Sequence, residues 1–499
     1  MTRSRAYLFF AFCALGGIAA LAIRRLAWPF ADRQIFILLL LLLAVVCVMP
    51  AWRRFRSQAL DPFEPPIFTG LMYLLLFGLL SLPFLDPEAP LYPFLGGEFG
   101  WLSVALLYLI LGMVFLWLGY RSGLAVWIER VMGLSENWRE RQREEWVRFS
   151  WVIALYAIGA SARVYRIRTG TYGYLGGQVL DAVSAQLPYS NWLWHLETFC
   201  SYSQVLATIR YYSAGGVKDR VTFWIILVGE LFFGLVSGFR TPIFLAFLYM
   251  GVVSFYQRRR VPWGAALVGA LVLLFVFPLV PVYRRLIYGG AIDVTATTEL
   301  VSSIAGLVAD AVQVGGVSET IERGAGVASV HMSRIQDFAS AIKYADQHSL
   351  YPERHYVWVF PLLVFLPRAV WPSKPQLMLG GWMNREVLGR LGVSANAATY
   401  PGGLYLYLGY WGYLAGMFAT GVLQCFVYRR YSLGKPLSRV FLAPFLFLAV
   451  GNPESDFVAH FAGVVQQVML LVIIARLAFA RGRRESFGEV GGETAMRAG

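Results

Sequence analysis

The sequence predicts an all-α polytopic membrane protein, and three observations carry that prediction. Of its 499 residues 58% are apolar and only 14% charged, whereas roughly a quarter of the residues of a soluble domain carry charge. Apolar runs of about 17–25 residues, long enough to cross a hydrocarbon layer of about 30 Å, recur from one end of the chain to the other. The unbroken run Leu38–Leu43 also argues against a transmembrane β-barrel, whose strands alternate polar and apolar positions.

About twelve spans fit these runs, at 6–23, 34–50, 67–85, 99–119, 147–162, 191–210, 221–237, 241–257, 262–282, 403–427, 439–453 and 457–478. The basic start and Ala20-Leu21-Ala22 of the first run permit a cleaved signal peptide. Arg24-Arg25 and the second run from Gln34 favour a retained span. Lysine and arginine mark cytoplasmic loops, so Arg3 and Arg5 place the amino terminus inside. The same side then receives Arg53, Arg54 and Arg56, the amphipathic segment Arg121–Arg148, Lys218 and Arg220, Arg258–Arg260, Arg429 with Arg430, and the tail from Arg481. The acidic loop Asp86–Glu98 falls outside, and both termini fall on the cytoplasmic side.

The same alternation places both ends of the polar interval 284–402 outside. It divides the chain into an N-terminal membrane domain (1–283), an external loop domain (284–402), a C-terminal membrane domain (403–480) and a disordered cytoplasmic tail (481–499). Within the loop domain, 356–370 is too short and too rich in proline for a simple span and reads as re-entrant. Helical spacing of Ile304, Leu307 and Val308, then of Ile335, Phe338 and Ile342, predicts short amphipathic helices. The cysteines Cys13, Cys47, Cys200 and Cys425 lie far apart in apolar runs, which points to buried small hydrophobes and neither to metal nor to disulfides. His331, His348 and His355 lack ligand spacing and read as surface or packing residues. The net charge of +14 suits anionic lipids or substrates as well as topology.

Several cations stand on the side that the topology rule leaves without them. Arg163, Arg166 and Arg168 follow the fifth span, Arg240 occupies the Gly238-Phe239-Arg240-Thr241 turn, Arg284 and Arg285 end the ninth span, and Arg368 and Lys374 border the re-entrant segment. Snorkelling to lipid headgroups explains any one of them. Their convergence from four loops suits a pyrophosphate, whose oxygens guanidinium forks bind bidentately. Tyr172, Tyr174, Trp371 and Tyr400 offer ring faces for sugars, although an aromatic belt accounts for the tyrosines equally well. For proton transfer, Glu454, Asp456 and His460 lie at the last external turn, Asp456 and His460 at a spacing that shares one helix face. His195 and Glu197 are the competing pair, and helix capping or buried polar packing is the alternative for both.

The motifs in order are Arg163-Val164-Tyr165-Arg166-Ile167-Arg168-Thr169-Gly170-Thr171-Tyr172-Gly173-Tyr174, Gly238-Phe239-Arg240-Thr241, Leu366-Pro367-Arg368-Ala369-Val370-Trp371-Pro372-Ser373-Lys374-Pro375, and Asn396–Tyr405 leading to Leu408-Gly409-Tyr410-Trp411-Gly412. This series resembles the bacterial O-antigen and oligosaccharide repeat-unit polymerases, the Wzy family, over roughly residues 150–460. The resemblance implies a GT-C-like helical fold and glycosyl transfer at the periplasmic face of the bacterial inner membrane, using repeat units carried on undecaprenyl pyrophosphate, with no metal or other cofactor. It implies that Arg240 and Arg368, with Arg284, Arg166 and Lys374, hold the leaving pyrophosphate, and that Glu454, Asp456 or His460 takes the acceptor proton. It further implies a chain-length regulator and a flippase as partners in O-antigen, capsule or exopolysaccharide synthesis, and no nucleic acid. An O-antigen ligase-type or other lipid-linked glycosyltransferase, or a lipid-linked oligosaccharide transporter, is the alternative. The transporter reading lacks the internal repeats expected of it.

Overall fold

The structure is a computed structural model that describes residues 32–57, 60–86, 91–133, 145–173, 190–213, 215–260, 262–288, 306, 333–357, 359, 379–388, 398–431, 436–454 and 456–481. The described chain is mainly helical. Its helices are α1 (Asp32–Arg56), α2 (Pro65–Tyr73, continued by π and 3-10 turns to Leu85), α3 (Gly100–Arg121), α4 (Leu124–Val131), α5 (Phe149–Arg168), α6 (Ser190–Ser213), α7 (Val217–Val236), α8 (Thr241–Arg258) and α9 (Trp263–Tyr288). After these come α10 (Ile335–Gln347), α11 (Leu379–Trp382, continued as a π turn to Val387), α12 (Tyr400–Tyr431), α13 (Leu437–Gly451) and α14 (Phe457–Ala478). The first expected span, 6–23, lies outside the described residues; every other expected span falls on a helix.

Among the described residues three helices, α1, Pro65–Leu85 and α3, are long and apolar enough to cross a membrane. Helix α1 shows why they need one. Phe36, Leu39, Leu43 and Cys47 form a buried stripe at helical spacing, while Leu38, Leu41 and Val45 are more than half exposed. A stripe alone would suit a soluble helix. Leucines on the opposite face suit a lipid exterior.

Two apolar cores organise the bundle. One joins α1, α2, α3, α10 and α12 around Phe77, Leu106, Phe338 and Tyr413. The other joins α5, α6, α7, α8, α13 and α14 around Leu206, Phe441 and Phe445. Helices α3 and α12 approach so closely that a Cβ at Gly119 would stand 1.9 Å from the Phe418 carbonyl oxygen, and one at Gly421 equally near that of Leu116. Small residues allow this backbone contact, as membrane helix interfaces require.

The turns expected on the cytoplasmic side meet at one end of the bundle. Arg54 forks onto Glu64, Tyr256 and Tyr428 both donate to Asp61 at 2.9 Å, and Arg429 pairs with Glu129. A two-stranded antiparallel ribbon, β1 (Glu145–Val147) with β2 (Phe479–Arg481), ties the entry of α5 to the exit of α14. The amphipathic segment after Arg121 contributes α4.

Two features depart from a simple row of spans. Helix α12 reverses at Gly409 (φ 70°, ψ −173°), a conformation that only glycine adopts readily. Its legs run side by side: the Tyr400 hydroxyl is 2.7 Å from Thr420 Oγ1, and Leu404 lies against Gly416. In a straight helix residues 400 and 420 would be about 30 Å apart. The expected span 403–427 is thus a helical hairpin. The Leu406 carbonyl, which loses its helical partner near the reversal, accepts the Tyr351 N–H at 2.9 Å.

The second feature is α10. Its apolar positions Ile335, Phe338 and Ile342 are buried as its spacing predicts, but Gln336, Asp337, Ser340 and Lys343 are buried too. The helix lies sunk between α3 and α12, so this part of the interval 284–402 belongs to the main core instead of standing apart. Residues 304, 307 and 308, almost all of the segment 356–370, and the tail beyond Arg481 lie outside the described residues. Cys47 and Cys200 are buried thiols and Cys425 is half-buried, as their setting predicts; Cys13 is outside the description.

Candidate functional site

Among the described residues, the side chains expected on the external side fall into two groups. The first is built where α5 ends. The chain leaves α5 through Gly170 (φ 65°), and the Thr171 N–H returns to the Arg166 carbonyl at 2.8 Å. This folds the Thr-Gly-Thr-Tyr-Gly loop back onto the end of α7. The Tyr172 hydroxyl donates to the Phe233 carbonyl at 3.2 Å, and Gly173 (φ 61°) leaves no room for a Cβ, which would stand 2.3 Å from the Ser237 oxygen. The arginine-rich loop and the Gly238-Phe239-Arg240-Thr241 turn are thereby in direct contact.

In this group Arg163 is buried and forks onto Glu230 at 2.6 and 3.2 Å, with its guanidinium 5.1 Å from the Phe233 ring centre. Arg166 donates to Glu197 at 2.7 Å and to the Thr171 carbonyl. Arg240 stands directly before α8, and Arg168 is exposed. The structure pairs Glu197 with Arg166, while His195, two residues earlier on α6, faces a different side of that helix. His195 packs edge-on to Trp194. Tyr172 is turned inward with its hydroxyl engaged, so its ring serves packing and not an open sugar face.

The second group gathers around the start of α10 and the turn between α13 and α14. Arg334 lies 3.3 Å from Asp337 and 3.7 Å from Glu454, and its backbone N–H donates to the Leu76 carbonyl midway along α2. The Glu454 N–H donates to Asn452 Oδ1, closing a tight turn. Asp456 is buried at the head of α14, so close to the α12 hairpin that a Cβ on Gly403 would stand 2.5 Å from its Oδ1. Asp456 directly precedes the helix that carries His460, and the His460 side chain lies outside the described residues. Tyr400 is bound to Thr420 and stacks edge-on against Phe457, again as a packing ring.

This turn is not at the rim. Helix α13 has only 15 residues, and Gly451 at its end lies against Thr69, near the start of α2. The expected outermost turn is recessed within the bundle because α13 is too short to reach the level of Leu85. Ser333 Oγ just before α10, Ser340 Oγ on α10 and both side-chain polar atoms of Asn384 on the π turn after α11 are buried without hydrogen-bond partners among the described residues. Buried groups of this kind each carry a desolvation cost of about 1–3 kcal/mol unless a ligand or water meets them.

At the loop before α3, Lys343 donates to the Leu95 carbonyl and pairs with Glu98 at 3.3 Å. The Trp101 indole N–H, with Lys343 behind it, holds the Glu98 carboxyl below the usual carboxylate range. A cavity of about 400 Å³ opens beside this loop, lined by Arg33, Phe84, Asp86, Tyr92 and Phe99 among others. The Tyr92 N–H reaches Gln336 of α10 at 2.6 Å and so couples the cavity wall to the recess.

Arg284 and Arg285 lie on α9 with their side chains outside the description, and Arg368, Trp371, Lys374 and Tyr174 fall outside the described residues. Sequence reasoning missed Glu230, Arg334, Asp337 and Lys343. Glu230 carried a signal: a lone carboxylate inside an apolar run asks for a cation.

A family model described as a domain of unknown function (DUF8712) matches residues 161–434, more than half of the chain. Among curated proteins and among solved structures nothing matches.

Proposed function

The chain belongs to the DUF8712 family, and from the geometry of its site we propose that it polymerises oligosaccharide repeat units carried on undecaprenyl pyrophosphate. The observation that carries this reading is the recess of Arg334, Asp337, Glu454 and Asp456, a carboxylate–arginine group set inside a lipid-facing bundle. Such a group suits a reaction that must move a proton and separate charge away from bulk water.

In this reading the chain has about twelve spans in a GT-C-like arrangement, with both termini cytoplasmic. An acceptor sugar hydroxyl attacks the anomeric carbon of the donor chain. Its oxygen bonds to that carbon as the bond to the pyrophosphate oxygen breaks, and the leaving undecaprenyl pyrophosphate keeps the electron pair. Asp456 or Glu454 takes the hydroxyl proton, with Arg334 orienting Glu454. Arg240, Arg284, Arg285, Arg368 and Lys374, with Arg166 and Arg168, stabilise the charge that develops on the pyrophosphate. Arg163, already forked by Glu230, holds the arginine loop in place from behind. The cavity beside Tyr92 gives a saccharide a polar and aromatic surface.

A strain lacking the protein tests this. Loss of long surface chains while single repeat units still reach the surface is the expected gel profile. Full-length chains stranded on the lipid carrier would instead indicate a ligase, and units trapped on the cytoplasmic side a transporter.

A further inference from the structure

The opposite, basic end of the bundle holds a second site that the proposed reaction does not use. A cavity of about 320 Å³ lies between the ends of α1, α2 and α3, lined by Arg53, Arg54, Arg121, Glu64, Trp117 and Tyr120, with Pro50, Pro66 and Ile67 on its apolar side. Three guanidiniums share this space with one carboxylate. That carboxylate is taken: Glu64 accepts Arg54 at 2.8 and 2.6 Å and the Tyr120 hydroxyl at 2.8 Å. Arg53 has no acidic partner among the described residues, and Arg121 only covers the Trp117 ring at 4.9 Å. The Trp117 Nε1–H is itself buried without a hydrogen-bond partner among the described residues.

Two unneutralised guanidiniums and an idle N–H around one cavity form a donor set without an acceptor. Like charges held together repel unless an anion stands between them. Snorkelling accounts for arginines at helix ends one at a time, but not for their convergence from α1 and α3 onto a walled space that also holds a desolvated indole N–H. We propose that Arg53, Arg54 and Arg121, with the Trp117 N–H, bind a phosphate group in this cavity. The chemistry is that of an anionic phospholipid headgroup or of free phosphate. The apolar wall of Pro50, Pro66 and Ile67 would accommodate the glycerol and first methylenes of a lipid.

The test uses the full chain, stripped of lipid in neutral detergent, and three probes: phosphatidylglycerol, phosphatidylcholine and inorganic phosphate. Binding is read by native mass spectrometry and by thermal shift in wild type, in Arg53→Gln/Arg121→Gln and in Trp117→Phe. Arg54 is left in place so that Glu64 keeps its partner. Phosphatidylglycerol is expected to bind wild type at least about tenfold more tightly than the double variant, which lacks two of the proposed contacts; tenfold corresponds to about 1.4 kcal/mol. Trp117→Phe, which keeps the ring, is expected to bind several-fold more weakly than wild type. Binding of phosphatidylglycerol alone identifies a lipid headgroup; binding of inorganic phosphate as well identifies the phosphate group by itself as the determinant. If phosphatidylcholine binds as tightly as phosphatidylglycerol, or if neither variant differs from wild type, the proposal is overturned. Should the double variant fail to fold, Trp117→Phe decides the matter alone.

Discussion

The polar groups around Arg163 and around Arg334 differ in how completely the protein answers its own charges. Arg163 and Glu230 face each other with both terminal guanidinium nitrogens engaged, and their side chains are 9% and 6% exposed. Arg334 reaches Glu454 at only 3.7 Å, with 22% and 28% exposed, and on α10 and its approach Ser333 Oγ and Ser340 Oγ are buried without hydrogen-bond partners among the described residues. A closed pair of the first kind fixes helices against each other. An open group of the second kind retains capacity to bind and to exchange a proton, and for that reason the chemistry is assigned to it.

The sharpest way to break this comparison is to open the closed pair. Glu230→Ala leaves a buried guanidinium without its carboxylate and is expected to cost about 3–5 kcal/mol, read as a large fall in thermal unfolding temperature in detergent. Arg163→Met combined with Glu230→Leu should recover most of that loss, since a well-packed apolar pair can replace a buried ion pair. A catalytic role for Glu230 would instead leave stability intact and abolish activity.

A second change tests the floor of the open group. Gly409→Ala forces a side chain into a backbone region open in practice only to glycine and is expected to cost about 1–3 kcal/mol, with activity falling because the α12 hairpin carries Gly403 against Asp456. Arg334→Gln is expected to lower turnover by about tenfold, equivalent to about 1.4 kcal/mol of barrier. It is also expected to lower the unfolding temperature because the buried Asp337 carboxylate loses its cation, so turnover is compared at a temperature where the variant remains folded.

The smallest effect belongs to the Glu98–Lys343 contact. The folded state holds the Glu98 carboxyl below its unfolded range, so its contribution is present above the ordinary carboxylate pKa of about 4.3 and is lost as pH falls through the depressed folded value. Glu98 is mostly exposed, so the slope is shallow and salt weakens it. Unfolding curves of wild type and Glu98→Gln should converge at the acid end of that range.

Much of the scaffold was legible in the sequence because apolar runs announce membrane helices by length alone. The two departures were hidden by the same physics. Both legs of the α12 hairpin are apolar with helical period, so 403–427 reads as one span, and only Gly409 within Gly-Tyr-Trp-Gly marks the reversal. The recess was hidden because Asn452-Pro453 reads as an outer turn; the signal was the length of α13, 15 residues where about 20 are needed to span. In the site, Glu454 and Asp456 were legible as carboxylates beside a turn. Arg334 and Asp337 were not, since an amphipathic period describes α10 as half-solvated and cannot reveal that its polar face is buried as well. The inward turn of Tyr172 and Tyr400 was equally hidden, because a tyrosine in a glycine-rich loop looks the same whether its ring meets a ligand or a neighbouring helix.

The most direct test of the account supplies purified protein with a lipid-linked repeat unit and follows chain length and released undecaprenyl pyrophosphate, comparing wild type with Asp456→Asn and Glu454→Gln. The account predicts that wild type elongates the chains and releases one undecaprenyl pyrophosphate per bond formed. It also predicts that at least one of the two variants is slower by about a hundredfold or more, as loss of a general base requires, while remaining folded. Failure of wild type to elongate, or wild-type rates in both variants, would contradict it.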